Sequence, residues 1–162
     1  MKIFNKKGMT LMEIMVVVLL IAGMASMVYP SYLSSVEKAK SSEAVKIVGH
    51  AIASMRQYFE DNMAYPQNFS DLDFTIAGKG VSITGGVANT TNFQITLNHN
   101  CTSQENGSIC AKRCKQGTCK YNYRIRGHIQ QDFLECLTMD EAYDKKICST
   151  IGKGNASPYI IE

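Results

Sequence analysis

Glu13 stands at the edge of an apolar run, Ile14 to Leu33, of 20 residues without a charge. An ionised carboxylate inside hydrocarbon costs roughly 2–4 kcal/mol, so a plain membrane anchor or export signal has no use for it. Six cysteines, Cys101, Cys110, Cys114, Cys119, Cys136 and Cys148, fall in the last third of the chain. If the apolar segment is a membrane helix with its C-terminal side outward, they face an oxidising compartment and read as three disulfides of open connectivity. A zinc site is the rival, but the spacing C-x8-C-x3-C-x4-C lacks a second C-x-x-C knuckle. Disulfides are therefore expected, and no metal.

A second constellation lies between Asn106 and Gln131. It holds Lys112, Arg113, Lys115, Lys120, Arg124 and Arg126, no acidic residue, and the interleaved Tyr121 and Tyr123. Cations beside aromatic platforms suit nucleic acid, which makes these six candidate DNA contacts. Two plainer readings compete. One is a solvated strand face with its tyrosines in a sheet. The other pairs the patch with Asp132, Glu135, Asp140, Glu141 and Asp144 of a neighbouring subunit.

Catalytic patterns are missing. His50, His99 and His128 have no nucleophile or acid at a spacing that would join them. Gly78-Lys79-Gly80 and Gly152-Lys153-Gly154 lack the phosphate-loop pattern, and Glu60, Asp61, Asp71 and Asp73 lack EF-hand spacing. The chain reads as a non-enzyme without a cofactor.

The elements that position these residues follow from periodicity. Ile14–Leu33 makes about 30 Å of helix, one bilayer crossing. From Ser31 to Asn62 there is no further Pro and a single Gly, Gly49, while Val45, Val48, Ile52, Met55 and Phe59 recur at spacings of three and four. The helix is expected to run on to Asn62, apolar all round in its first half and amphipathic in its second. Ala64-Tyr65-Pro66 ends it. Beyond, Phe74-Thr75-Ile76, Val81-Ser82-Ile83, Phe93–Leu97 and Lys120–Arg126 read as strands, the last stopping at Gly127. The expected fold is α+β: a long N-terminal helix whose amphipathic half packs on an antiparallel sheet.

The stretch Lys7-Gly8-Met9-Thr10-Leu11-Met12-Glu13 resembles the class III prepilin signal of type IV pilins and pseudopilins. Met stands at position 9 where that family more often has Phe, and Pro30 falls where many pilins carry a helix-bending Pro. The resemblance implies cleavage after Gly8 by a membrane prepilin peptidase and N-methylation of Met9. It implies residues 1–8 as leader, 9–33 as transmembrane and assembly helix, 34–62 as its amphipathic continuation, and 63–162 as a globular head with a Cys-rich end. Lys2, Lys6 and Lys7 would leave with the leader, so that 14 of the 17 basic residues remain against 14 acidic ones and the mature side chains balance. An ordinary secretory signal cut near Gly23-Met24-Ala25 competes, but it leaves Glu13 unexplained.

On the same resemblance, Glu13 sets subunit register: a cationic Met9 amine, with a reference pKa of about 8, pairs with the carboxylate of a neighbour, making the buried charge tolerable. Cys136 and Cys148 match the loop-closing pair near the pilin C-terminus, leaving the other four cysteines to form two bridges. The implied partners are further copies and other pilins in a filament, the peptidase/methylase, and an inner-membrane platform with its ATPase. The subunit would sit in the bacterial inner membrane before assembly, then in a surface pilus or a periplasmic pseudopilus. A secretion pseudopilin, and a monomeric membrane-tethered DNA-binding module, are the alternatives.

Overall fold

The computed structural model describes residues 10–78, 80–114, 119, 123–138, 142–154 and 156–161. They fall into two units divided between Val36 and Glu37, and helix α1 (Leu11–Asn62) contributes to both.

In the first unit, Thr10 opens α1. Its carbonyl accepts the N–H groups of Glu13 (3.1 Å) and Ile14 (3.2 Å), and its hydroxyl oxygen accepts the Glu13 N–H again at 3.3 Å. A side-chain oxygen serving the third helical donor is N-cap chemistry. The large apolar side chains from Leu11 to Leu33 are exposed within the structure. The polar groups among them are satisfied locally: the Ser26 hydroxyl donates to the Gly23 carbonyl at 2.7 Å, a back-bond that removes a donor from any apolar surroundings. Pro30 lies inside the helix and withholds the N–H that would bond the residue four before it.

In the second unit, the continuation of α1 buries Ser41, Ala44, Val48, Ala51, Ile52 and Met55. The stripe is displaced from the expected one, because Val45 and Phe59 sit half-buried on its flank. Periodicity read from large apolar residues misses the line of closest approach, which Ala44 and Ala51 occupy. After Asn62, Met63 takes φ 51° and its N–H bonds the Phe59 carbonyl at 2.8 Å. That is a left-handed C-terminal cap made without the usual Gly. The following loop is anchored by Phe69 and Leu72 in the core. Asp71 Oδ2 accepts the backbone N–H groups of Gln67 (3.1 Å) and Asn68 (2.9 Å), holding the short 3-10 helix Phe69–Asp71.

Seven strands follow: β1 (Ser82–Thr84), β2 (Val87–Asn89), β3 (Phe93–His99), β4 (Gln104–Arg113), β5 (Arg124–His128), β6 (Leu134–Leu137) and β7 (Tyr159–Ile161), with α2 (Ala142–Ile151) between β6 and β7. Each strand pairs antiparallel with the next in sequence, giving one seven-stranded meander. The inner face contributes Phe93, Ile95, Leu97, Ile109, Ala111 and Ile125 to a core shared with Val48, Ile52 and Met55 of α1. Both edges of β7 are satisfied, since Lys153 and Ile160 exchange backbone hydrogen bonds of 2.6 and 2.9 Å on the side away from β6.

The expected α+β arrangement of helix on antiparallel sheet is the one observed. Several elements differ from expectation. Phe74-Thr75-Ile76 is not a strand, although Ile76 is buried. The strand expected over Lys120–Arg126 begins at Arg124 among the described residues and runs through Gly127 to His128. Gly127 belongs there because a Cβ would collide with Ile52 Cδ1 and lie 2.7 Å from Leu134 Cδ2, so the helix and the strand meet over bare backbone.

Candidate assembly helix and charged clusters

Glu13 lies in the first turn of α1, one capping step beyond Thr10. Thr10-Leu11-Met12-Glu13 has the S/T-x-x-E spacing of a helix N-terminus, a signal legible in the sequence that the register argument passed over. It gives the carboxylate a local benefit as well, since a negative charge in the first turn complements the helix dipole. An 18-residue stretch of this helix has a mean hydropathy of 2.4, with none of it buried inside the structure. Gly8, Met9 and the segment 1–8 lie outside the described residues.

The candidate DNA contacts divide between two faces. Arg113 points inward from β4 and is 6% exposed. Its guanidinium forks onto Glu37 of α1 through Nε–H to Oε1 and Nη2–H to Oε2 (3.2 Å), while Nη1 donates to the carbonyls of Asn92 (2.9 Å) and Cys114. The guanidinium carbon also lies 5.5 Å from the centre of the Phe93 ring, a cation–π distance. Tyr123 is buried beside it, edge-on to Phe93 with ring centres 6.2 Å apart, and its hydroxyl donates to Glu37 at 3.3 Å. Burial alone pushes the Glu37 carboxyl up. The Arg113 hydrogen bond and charge, with Lys40 and Tyr123 behind them, more than reverse this and hold it below the usual carboxylate range. Burial likewise pulls Arg113 down and Glu37 raises it further, above its ordinary value.

Arg113 and Tyr123 therefore leave the candidate nucleic-acid surface. A strand alternates its side chains, and a run of basic residues spanning two strands could not all face one way. Lys115, Lys120 and Tyr121 lie outside the described residues. On the outer face remain Lys112, Arg124 and Arg126. Arg126 is tied through Nε–H to Glu135 Oε2, its direct cross-strand partner on β6. Lys112 and Arg124 face each other across β4 and β5. Arg56 of α1 reaches the β5–β6 turn, donating to the Ile129 (3.0 Å) and Gln131 (3.3 Å) carbonyls and to Asp132 (3.2 Å).

All six cysteines are bonded, as Cys101–Cys110, Cys114–Cys119 and Cys136–Cys148. The last joins β6 to α2 with both residues fully buried. The first folds the segment after β3 back over the outer face of β4. Among the described residues no cluster of three or more His, Cys, Asp or Glu groups could hold a metal ion.

No family model matches the chain. Among curated proteins it is 35% identical over 63 residues to the type II secretion system core protein G of Pectobacterium carotovorum subsp. carotovorum, covering 39% of this chain and 40% of that protein. It is 29% identical over 84 residues to the fimbrial protein EcpC of Eikenella corrodens, covering 52% of each. It is 35% identical over 69 residues to the core protein G of Escherichia coli (strain K12), covering 43% of this chain and 48% of that one. The chain thus spans 40 to 52% of the length of the curated relatives it matches. Over part of its length the chain is thus similar to proteins of the type IV pilin family, a secretion pseudopilin and a fimbrial subunit.

Proposed function

We propose that this pilin-like subunit polymerises through the N-terminal part of α1 into a filament on the cell surface. The observation that carries the reading is an uninterrupted exposed apolar helix surface, Leu11 to Leu33, with one carboxylate, Glu13, in its first turn. An exposed apolar area of that length needs either lipid or other helices, and a lone acid within it needs a cationic partner. Cleavage after Gly8 and methylation of Met9 supply that cation in the neighbouring subunit. A membrane peptidase, an assembly platform and an ATPase follow from the same reading. So do its locations: inner membrane first, filament afterwards.

A secretion pseudopilin is the second reading, favoured by the core protein G matches. The three disulfides favour the surface filament, since covalent ties resist shear and proteolysis outside the cell. A monomeric tethered DNA-binding module loses support with the inward turn of Arg113 and Tyr123. Glu13→Ala is the test. It should abolish filaments while leaving membrane insertion intact, and normal filaments in that variant would refute polymerisation through Glu13. The intact mass of the sheared surface fraction then separates the first two readings: a chain starting at methylated Met9 with six oxidised thiols belongs to a surface filament, and the same species held only in the membrane belongs to a pseudopilin.

A further inference from the structure

The outer face of the sheet contains an arrangement that strand pairing alone disfavours. Lys112 and Arg124 are direct cross-strand partners, and like charges in that relation destabilise a sheet. The neighbouring pair, Arg126 opposite Glu135, shows the ordinary solution. Arg113 with Glu37 and Arg56 with Asp132 show it too. Among the described residues no carboxylate pairs with Lys112 or Arg124. The two cations are nevertheless held together by a built support. The Cys101–Cys110 bridge folds the chain after β3 over this face. Cys101, in the left-handed region at φ 77°, sends its carbonyl to Arg124 Nη1 and its N–H to His99 Nδ1 at 2.9 Å. Accepting at Nδ1 leaves the proton of a neutral His99 on Nε2. His99 and Arg124 are thus tied to one backbone residue fixed by a disulfide, Lys112 stands opposite Arg124, and the Cys101 carbonyl is a neutral acceptor that leaves both cations without an anionic partner.

We propose that His99, Lys112 and Arg124 form a binding site for an oxyanion of the phosphate class. A tetrahedral oxyanion offers the anionic acceptors that these side chains lack, and charge-assisted bonds to a guanidinium and an ammonium are the strong ones. The electrostatics agree. Burial, then Lys112 from β4 and Arg124 from β5, hold the imidazole of His99 below its usual value. Burial and Arg124 do the same to Lys112. A bound anion reverses the Coulombic part of both. The site rests on the outer face alone and is independent of whether the subunit polymerises.

The test is proton NMR of the three histidines in the full chain, solubilised in a non-ionic detergent without phosphate groups. Inorganic phosphate is titrated in against chloride at matched ionic strength. The expected result is a saturable shift of the His99 ring signals with its pKa moving upward, while His50 and His128 stay as they are in chloride. Lys112→Gln should weaken the phosphate affinity by about tenfold or more, with the His50 and His128 signals reporting an unchanged fold. A His99 response no larger in phosphate than in chloride would overturn the proposal, as would unaltered affinity in Lys112→Gln. Competition by an oligodeoxythymidylate at the same His99 signal would assign the natural group as a phosphodiester. Phosphate binding without that competition would assign a free or terminal phosphate.

Discussion

Replacing Arg113 by Met should unlatch α1 from β4. The guanidinium makes two bonds to Glu37 and two to the Asn92 and Cys114 carbonyls, from a site that is 6% exposed. Removing one partner of a buried ion pair costs about 3–5 kcal/mol, most of it the penalty of the charge left behind. Glu37 keeps Lys40 at 3.6 Å and the Tyr123 hydroxyl at 3.3 Å, which softens the loss toward the lower end, about 3 kcal/mol. The double variant Glu37→Leu/Arg113→Met removes both charges and should recover most of that, coming within about 1 kcal/mol of the parent. Urea unfolding followed by tyrosine near-ultraviolet circular dichroism, in non-ionic detergent, reads both numbers. The pH dependence has a fixed sign. The folded pKa of Glu37 lies below its unfolded value near 4.5, so its contribution is full above that value and fades as pH falls through the folded one. The gap between parent and Arg113→Met should therefore close on acidification. A single variant losing less than about 1 kcal/mol, or a double variant no more stable than the single, would refute the assignment of the pair as a latch.

Serine at both Cys136 and Cys148, which close a separation of 12 residues, should cost about 3 kcal/mol by the loop-entropy estimate, read as a shift in urea midpoint without loss of secondary structure. Asp71→Ala should cost about 1 kcal/mol as a lost cap. The backbone N–H of Asn68 holds that carboxyl below its ordinary value, so the parent should lose stability in the same direction as pH falls through the folded pKa, by less than the full increment because solvent screens the exposed carboxylate. Gly107→Ala places a Cβ at φ +78° and 2.8 Å from Tyr65 Cε1; about 1–3 kcal/mol of backbone strain, read by thermal melting, is expected.

The sequence displays some of this architecture openly and conceals the rest for physical reasons. A 52-residue helix announces itself through hydropathy at one end and three-four periodicity at the other. β3 shows because Phe93, Ile95 and Leu97 alternate with polar partners. β4 does not, because it opens with Gln104-Glu105-Asn106-Gly107-Ser108 and its outer-face cysteine lies under a disulfide strap, so burial on both faces erases the alternation. α2 is hidden in a polar stretch where, among the described side chains, Ile147, Cys148 and Ile151 carry the apolar side. The proposed assembly motif is a linear pattern of residue types, and so is read from the sequence alone. The Glu37–Arg113 latch and the Lys112–Arg124 apposition join residues 76 and 12 positions apart respectively. Their partnership is set by the docking of α1 on the sheet and by strand register, which no local pattern encodes.

The meander order of the sheet bears on how the subunit is made. Every strand after β1 is bonded to the one before it in sequence, so the strand pairings are sequential, and short-range pairings favour rapid folding. On the proposed function, a chain exported with its N-terminal helix held in the membrane adds strands one hairpin at a time, each finding its template already in place. The final strand, β7, then closes against β6 and Lys153 together.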